Sequence, residues 1–360
     1  TLESPKEYIM NALNIALQQN QTIETQLSLP YELKEKFALK HKLALQIAEQ
    51  RQTIENILDG TDDRLLVITG PCSIHDEKSA LEYADRLIQL QEKVSDQIFL
   101  VMRAYIEKPR TTVGWKGFLY DPNLDGSANM QLGLEKSRQL YLQIIEKGLP
   151  IASEILSPMA TAYFDDLLAW GAIGARTSES QIHREISSHM PFSIGFKNGT
   201  DDSIQIALDA IQSASHPHQF LAMGQKGLPC IVHSHGNPLA HIILRGSNKG
   251  TNYDAESIQQ IRQQHQGKLP ALVIDCSHGN SSKDPLKQPL VLQQIIEERH
   301  VTHVRGVMLE SHLVDGNQKI SCDMTYGQSV TDGCLGWNKT EQLLLDVAEQ
   351  LSEKTLACTA

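Results

Sequence analysis

Ile98-Phe-Leu-Val-Met102-Arg103-Ala-Tyr-Ile-Glu-Lys108-Pro-Arg110-Thr-Thr-Val-Gly-Trp-Lys116-Gly117 joins an apolar run to a basic loop, and the reading of that junction decides the fold. The continuous apolar run reads as a buried strand that ends at Arg103. The loop after it carries Lys108, Arg110 and Lys116 beside Thr111, Thr112, Gly114 and Gly117. Cations crowded this closely repel one another, and a chain of net charge −11 has no general need of a basic loop. A small anion held by Arg forks, hydroxyls and glycine-exposed amides accounts for them, and phosphate is the first candidate. The plain alternative is a solvated surface loop.

The same texture recurs from Arg64 onward. Apolar runs at 65–69, 98–102, 150–153, 172–175, 192–196, 241–244, 271–274 and 306–309 alternate with amphipathic stretches of helix length. Strands alternating with helices predict a parallel sheet, and eight such units predict an α/β fold of the closed (β/α)8 TIM barrel type. Two further β-like runs, 220–223 and 229–233, predict an extra β-hairpin before strand 6, outside the barrel. Residues 1–60 differ, being rich in Gln, Leu, Glu and Lys with no glycine before Gly60. Ser4-Pro5 with Glu7 marks a helix start, and Leu33, Phe37, Ile47, Ile54 and Leu58 recur at near-helical spacing. This predicts an N-terminal helical extension over 1–60, in two segments joined near Ser28-Leu29-Pro30, followed by a catalytic barrel over 61–360. The apolar stripes of the extension need cover from the barrel or from a neighbouring subunit.

Composition removes several classes of function. Lys and Arg number 32 against 43 Asp and Glu, and an acidic field disfavours nucleic acid and anionic membrane surfaces, which need a basic footprint. No apolar run reaches the length of a membrane span, and the start Thr1-Leu-Glu-Ser-Pro-Lys6 is no secretory signal, so a cytoplasmic protein is expected. Cys72, Cys230, Cys276, Cys322, Cys334 and Cys358 lack CxxC pairing and read as free thiols.

In a barrel the chemistry gathers at the carboxyl ends of the strands. The residues there are Cys72, Arg103, Glu154, Arg176, Lys197, Arg245, His278 and Glu310, with Asp332 in a later loop. Cys72, His278, Glu310 and Asp332 are all divalent-metal ligand types, and a mixed S, N, O, O shell suits Mn, Fe, Co or Zn better than Mg. Singly, each has a plainer reading: a strand-end Cys is often a small buried hydrophobe, and His278 could cap Asp275 or Ser277. No spacing rule joins residues so far apart in sequence; only barrel geometry does. Arg103, Arg176, Lys197 and Arg245, with Lys108, form a cationic set that needs a counter-anion bearing both phosphate and carboxylate. A Lewis acid beside two anion sites suits the joining of a carbon nucleophile to a carbonyl.

These residues sit in longer motifs: Gly-Pro-Cys72-Ser-Ile-His-Asp, Lys-Pro-Arg110-Thr-Thr-Val-Gly-Trp-Lys-Gly, Gly-Ala-Arg176-Thr-Ser-Glu-Ser-Gln, Gly-Phe-Lys197-Asn-Gly-Thr, His-Ile-Ile-Leu-Arg245-Gly, Asp-Cys-Ser-His278-Gly-Asn, Met-Leu-Glu310-Ser-His-Leu and Ser-Val-Thr-Asp332-Gly-Cys-Leu-Gly-Trp. In this collinear order, from about Leu58 to Trp337, the chain resembles the class I 3-deoxy-D-arabino-heptulosonate 7-phosphate (DAHP) synthases of the enterobacterial and yeast type. The resemblance implies condensation of phosphoenolpyruvate with erythrose 4-phosphate at the entrance to the shikimate pathway, by a homodimer or homotetramer. It implies one divalent metal per subunit on Cys72, His278, Glu310 and Asp332. Arg103, Lys108, Arg176, Lys197 and Arg245 fall to phosphoenolpyruvate, Lys108, Pro109, Arg110, Thr111 and Thr112 to erythrose 4-phosphate, and Glu154 is a further substrate-binding candidate. Lys108 or His278 is the implied proton donor.

Regulated members of that family bind an aromatic amino acid, and here the chain departs. Where they commonly carry Leu-Ser-x-Pro-Val-Gly-Phe, this sequence has Met190-Pro-Phe-Ser-Ile-Gly-Phe196, and Phe-Leu-Ser becomes Phe220-Leu-Ala222. Two hydroxyl donors to an effector are lost, and an unmatched buried polar group costs about 1–3 kcal/mol. Weak or altered feedback inhibition is therefore expected. Two other readings stand beside the first: a 3-deoxy-octulosonate 8-phosphate synthase-like enzyme, and a non-catalytic phosphosugar or amino-acid sensor on the same barrel.

Overall fold

The computed structural model describes residues 24–224, 226–265 and 269–359, with side chains described to Glu353. The helix start expected at Ser4-Pro5 lies outside the described residues, as does the side chain of Cys358; the other five cysteines are free thiols.

The strands are β1 (Leu65–Gly70), β2 (Ile98–Arg103), β3 (Ile151–Glu154), β4 (Trp170–Ile173), β5 (Ser193–Lys197), β6 (Gln219–Met223), β7 (Pro229–His233), β8 (His241–Leu244), β9 (Leu272–Asp275), β10 (Gly306–His312) and β11 (Leu335–Gly336). Strands β1 to β5 and β8 to β10 pair in parallel in that order, and β1 also pairs with β10, so the sheet closes into the expected eight-stranded barrel with helices between strands. Strands β6 and β7 form a separate antiparallel hairpin, Gln219 opposite His233. The short β11 pairs in parallel alongside the end of β10.

The period-two alternation of each strand sorts its side chains between two apolar layers. Leu65, Val67, Leu100, Ile242, Ile274 and Val307 face the helices. Leu66, Ile68, Val101, Ile243, Val273 and Met308 fill the lumen. Both faces are therefore covered, which explains runs of unbroken apolar residues instead of alternating ones.

Two expectations needed correction. The fourth strand begins at Trp170, earlier than the apolar run at 172–175, and ends at Ile173. Trp170 is wholly buried in the lumen, where its indole N–H donates to His241 Nε2 at 3.1 Å, and Trp170 and Gly171 pair with Ala152 and Ser153. The helix expected to run on from Pro30 is broken, giving α1 (Pro30–Lys36) and α2 (His41–Asp59). Phe37 leaves helical geometry and its carbonyl accepts from Arg138 Nε at 3.0 Å. Arg138 is fully buried, so it needs such partners, and it also grips the Asp166 carboxylate with both Nη atoms.

Helix α2 packs on this chain's own barrel. Ile54, Ile57 and Leu58 join the lumen cluster, while Gln46, Gln50 and Arg51 donate to the carbonyls of Ile145, Gly148 and Leu168. The amino-terminal end of the barrel is thereby plugged, and the carboxyl end is left for chemistry.

Candidate active site

Glycines bring the strand ends together where a side chain would obstruct them. A Cβ on Gly70 would lie 2.3 Å from the Arg103 carbonyl oxygen, so only glycine lets the turn after β1 close against the end of β2. Cys72 is thus set beside Arg103. Likewise a Cβ on Gly279 would lie 2.4 Å from Ser247 N, and the turn carrying His278 folds directly onto the turn after Arg245.

Arg103 is 1% exposed. Its guanidinium lies 3.6 Å from the centroid of the Tyr105 ring, donates through Nη2 to Glu310 Oε1 at 2.9 Å and the Cys72 carbonyl at 3.2 Å, and through Nε to the Pro71 carbonyl at 3.2 Å. Burial works against the charge, but Tyr105, Glu310 and Cys72 together hold it well above its ordinary pKa. Lys108 Nζ donates to Cys72 Sγ at 3.1 Å and to the Cys72 carbonyl at 3.2 Å. Burial lowers its pKa and the neighbouring Cys72 and Glu310 raise it by more.

Three of the four residues predicted as metal ligands gather into one cluster, and His278 stands at its edge. Cys72, Glu310 and Asp332 each offer a donor atom, all within 4.8 Å of one another. Cys72 Sγ lies 3.8 Å from Asp332 Oδ2, and His278 Nε2 lies 3.9 Å from Glu310 Oε1. His278 occupies the left-handed region (φ 54°), which turns its ring back across the barrel mouth. Its Nδ1 bonds Asp275 Oδ2 at 2.9 Å, leaving the Nε2 lone pair toward the cluster. The contact with Asp275 matches the capping alternative and leaves the other ring nitrogen, Nε2, on the side of Glu310. Partial enclosure pushes the Asp332 carboxyl up, and Lys108, His278 and Lys283 hold it below its ordinary value on balance. Burial, then Glu310, pushes the Cys72 thiol up; a soft divalent cation is what makes such a thiol a thiolate. A thiol, an imidazole nitrogen and two carboxylates at these separations fit a metal of the Mn, Fe, Co or Zn type.

The cationic set lines a cavity of about 340 Å³ together with His278 and Asp332. Arg103, Lys108, Pro109, Arg110, Thr111, Thr112, Glu154, Arg176, Lys197 and Arg245 all border it. Lys197 donates to the fully buried Asp275 Oδ2 at 2.7 Å. Burial lowers the pKa of Arg245, Asp275 opposes this, and Arg176 lowers it further, so two guanidiniums face one space.

Two residues outside the predicted site set complete this constellation. Asp275 ends β9, and Lys197, His278 and Ser277 all bond its carboxylate, which is held well below the ordinary range despite burial. An acid closing an otherwise apolar strand was the available clue. Lys283 borders the cavity beside Asp332 and has φ 63°. Among the other histidines, His75 and His312 stack edge-on at 5.6 Å, and His241 is taken up by Trp170.

A profile of the DAHP synthetase I family matches residues 38–345. The chain is 44% identical over 346 residues to the Tyr-sensitive phospho-2-dehydro-3-deoxyheptonate aldolase of Escherichia coli, covering 94% of this chain and 97% of that one. It is 43% identical over 338 residues to the phenylalanine-inhibited enzyme of that name from Saccharomyces cerevisiae, covering 90% and 91%. The solved phospho-2-dehydro-3-deoxyheptonate aldolase of Francisella tularensis superposes with a TM-score of 0.89 at 43% identity, over 92% of this chain and 98% of that one. With the family profile spanning most of the barrel and these relatives matched nearly end to end, the chain belongs to the DAHP synthetase I family of enzymes.

Proposed function

We propose that this enzyme is a 3-deoxy-7-phosphoheptulonate synthase: it condenses phosphoenolpyruvate with D-erythrose 4-phosphate and water to give DAHP and phosphate, in the cytoplasm, as a homodimer or homotetramer. In this reading residues 1–60 are an accessory helical extension and 61–360 the catalytic barrel. The observation that carries it is the direct hydrogen bonding between the anion cradle and the ligand cluster: Arg103 to Glu310 at 2.9 Å and Lys108 to Cys72 at 3.1 Å.

Arg103, Arg176, Lys197 and Arg245 bind the phosphate and carboxylate of phosphoenolpyruvate, with Glu154 on the opposing wall. The guanidinium forks match those oxygens in pairs and fix the plane of the enol. Pro109, Arg110, Thr111 and Thr112 take the phosphate of erythrose 4-phosphate, which brings its aldehyde carbon toward C3 of the enol. Cys72, His278, Glu310 and Asp332 would hold one divalent cation of the Mn, Fe, Co or Zn type per subunit, which when bound would supply Lewis acidity toward the aldehyde. Lys108, between the two substrates, gives or relays the proton to the aldehyde oxygen as C3 attacks, with His278 as the alternative donor. Water then adds at C2 and phosphate leaves. Phosphoenolpyruvate is a moderate carbon nucleophile, so these side chains act chiefly by orientation and by stabilising developing charge.

The Lys108-Pro-Arg-Thr-Thr112 motif argues against the longer-sugar synthase, and the intact cation and ligand sets argue against a non-catalytic sensor. The absorbance of phosphoenolpyruvate is expected to fall on adding erythrose 4-phosphate, to hold steady in chelator, and to fall again when divalent cation is restored. Full turnover in chelator, or consumption with a five-carbon phosphosugar alone, contradicts the proposal.

An aromatic amino acid is the proposed effector class, since relatives carry Tyr-sensitive and phenylalanine-inhibited in their names. Because Pro191 and Ala222 stand where hydroxyls are common in the family, inhibition by Phe, Tyr or Trp is expected to be weak or altered. Strong inhibition by any of the three at millimolar concentration overturns that expectation.

A further inference from the structure

Beside the substrate cavity lies a smaller, partly open pocket of about 20 Å³, in which Glu107, Tyr141, Ser153 and Glu154 stand among apolar residues such as Ile155 and Phe164. It has room for one water and polar groups to hold it. Tyr141 is already committed, its hydroxyl donating to the Ala104 carbonyl at 2.6 Å and lying 3.1 Å from Ser153 Oγ. Glu107 and Glu154 both border this space, and Glu154 lies near enough to act electrostatically on Glu107. Glu154 also borders the substrate cavity, and a Cβ on Gly174 would fall 2.5 Å from its Oε1, so it is pressed between the two spaces.

Glu107 immediately precedes Lys108 and is 5% exposed. Its Oε1 accepts from the Tyr120 hydroxyl at 3.3 Å, and its Oε2 from the Ser157 amide at 3.3 Å. Both bonds are long and both donors are neutral. The titratable groups facing it are Glu154 from β3, Tyr141 from the helix Met130–Glu146, and Tyr120 from the loop before that helix. Among the described residues, no lysine or arginine forms an ion pair with it. Burial, opposed by the Ser157 amide and reinforced by Glu154, pushes its carboxyl up to about 7. A neutral acid in this position has one proton to give, and the pocket is the direction in which it meets an acceptor.

We propose that Glu107 is a positioning residue for the condensation: as the neutral acid it donates through the single water of this pocket to Glu154, and thereby fixes the Glu154 carboxyl at the wall of the substrate cavity. The inference rests on the functional reading above. When Glu107 ionises, two like charges border one pocket and Glu154 loses its anchor. The base of the Lys108–Thr112 loop is carried on the same residue, so substrate binding and turnover both fall.

The test is the ratio of kcat/KM between wild type and Glu107→Gln for each substrate, followed from about pH 6 to about pH 8.5. The amide remains a neutral donor throughout, so the ratio is expected to drift severalfold in favour of the variant as pH rises. Tyr120→Phe removes a bond that favours the ionised form and is expected to move the alkaline fall to higher pH, which decides the matter even if the glutamine variant folds poorly. A flat ratio, or an unmoved limb in Tyr120→Phe, overturns the inference while leaving an active enzyme. A wild type that consumes no phosphoenolpyruvate with erythrose 4-phosphate at any pH rejects the functional reading itself.

Discussion

An enzyme carrying Cys72→Ala is expected to lose metal-dependent turnover, with kcat/KM down on the order of a thousandfold or more, because the Lewis-acid contribution is worth several kcal/mol of charge stabilisation. The loss belongs to chemistry, not folding. Cys72 is fully buried but small, and its backbone amide retains Cys334 Sγ as partner at 3.4 Å. Thermal unfolding of the metal-free protein should therefore move little, by about 1 kcal/mol. Metal content after dialysis and the steady-state rate report the two effects separately. A variant that keeps its rate after chelation removes the metal from the account.

Asp275→Ala is expected to destabilise the protein by about 3–5 kcal/mol, because it strands a buried ammonium without a counter-charge. Lys197 and Asp275 are 8% and 0% exposed at the side chain and meet at 2.7 Å. The same carboxylate orients His278 at 2.9 Å, so turnover falls with stability. The carboxyl is held well below its ordinary range. Its contribution to stability is thus fully present above the unfolded pKa and is lost as pH falls through the folded value. Chemical denaturation at neutral pH measures the first effect, and metal retention by Asp275→Asn separates charge from shape. A change below about 1 kcal/mol for Asp275→Ala, the size expected of an exposed pair, contradicts the central position given to this carboxylate.

How much of this was legible in the sequence varies with the range of the interaction. Buried parallel strands announce themselves locally, as at Leu65–Gly70, where every residue is buried. Their ends then name the groups at the barrel mouth, since handedness and closure leave the chain little choice. Trp170 lies outside the apolar run at 172–175 yet opens the fourth strand. Its place is set by His241 across the lumen, 71 positions away. Phe37 breaks its helix because of Arg138, 101 positions on. Asp275 and Glu107 show no site role locally for a similar reason: an acid takes its meaning from what surrounds it. For Asp275 that is Lys197, and for Glu107 it is Glu154 beside a space for one water.

The proposed sharing of one cation by Cys72, His278, Glu310 and Asp332 is what everything else depends on, and X-ray absorption at the edge of the bound metal tests it most directly. With one equivalent of Co or Zn per chain, the account predicts one sulfur scatterer among nitrogen and oxygen donors, and loss of that sulfur in Cys72→Ser with an imidazole still present. A shell of oxygen and nitrogen alone in the wild-type protein contradicts it.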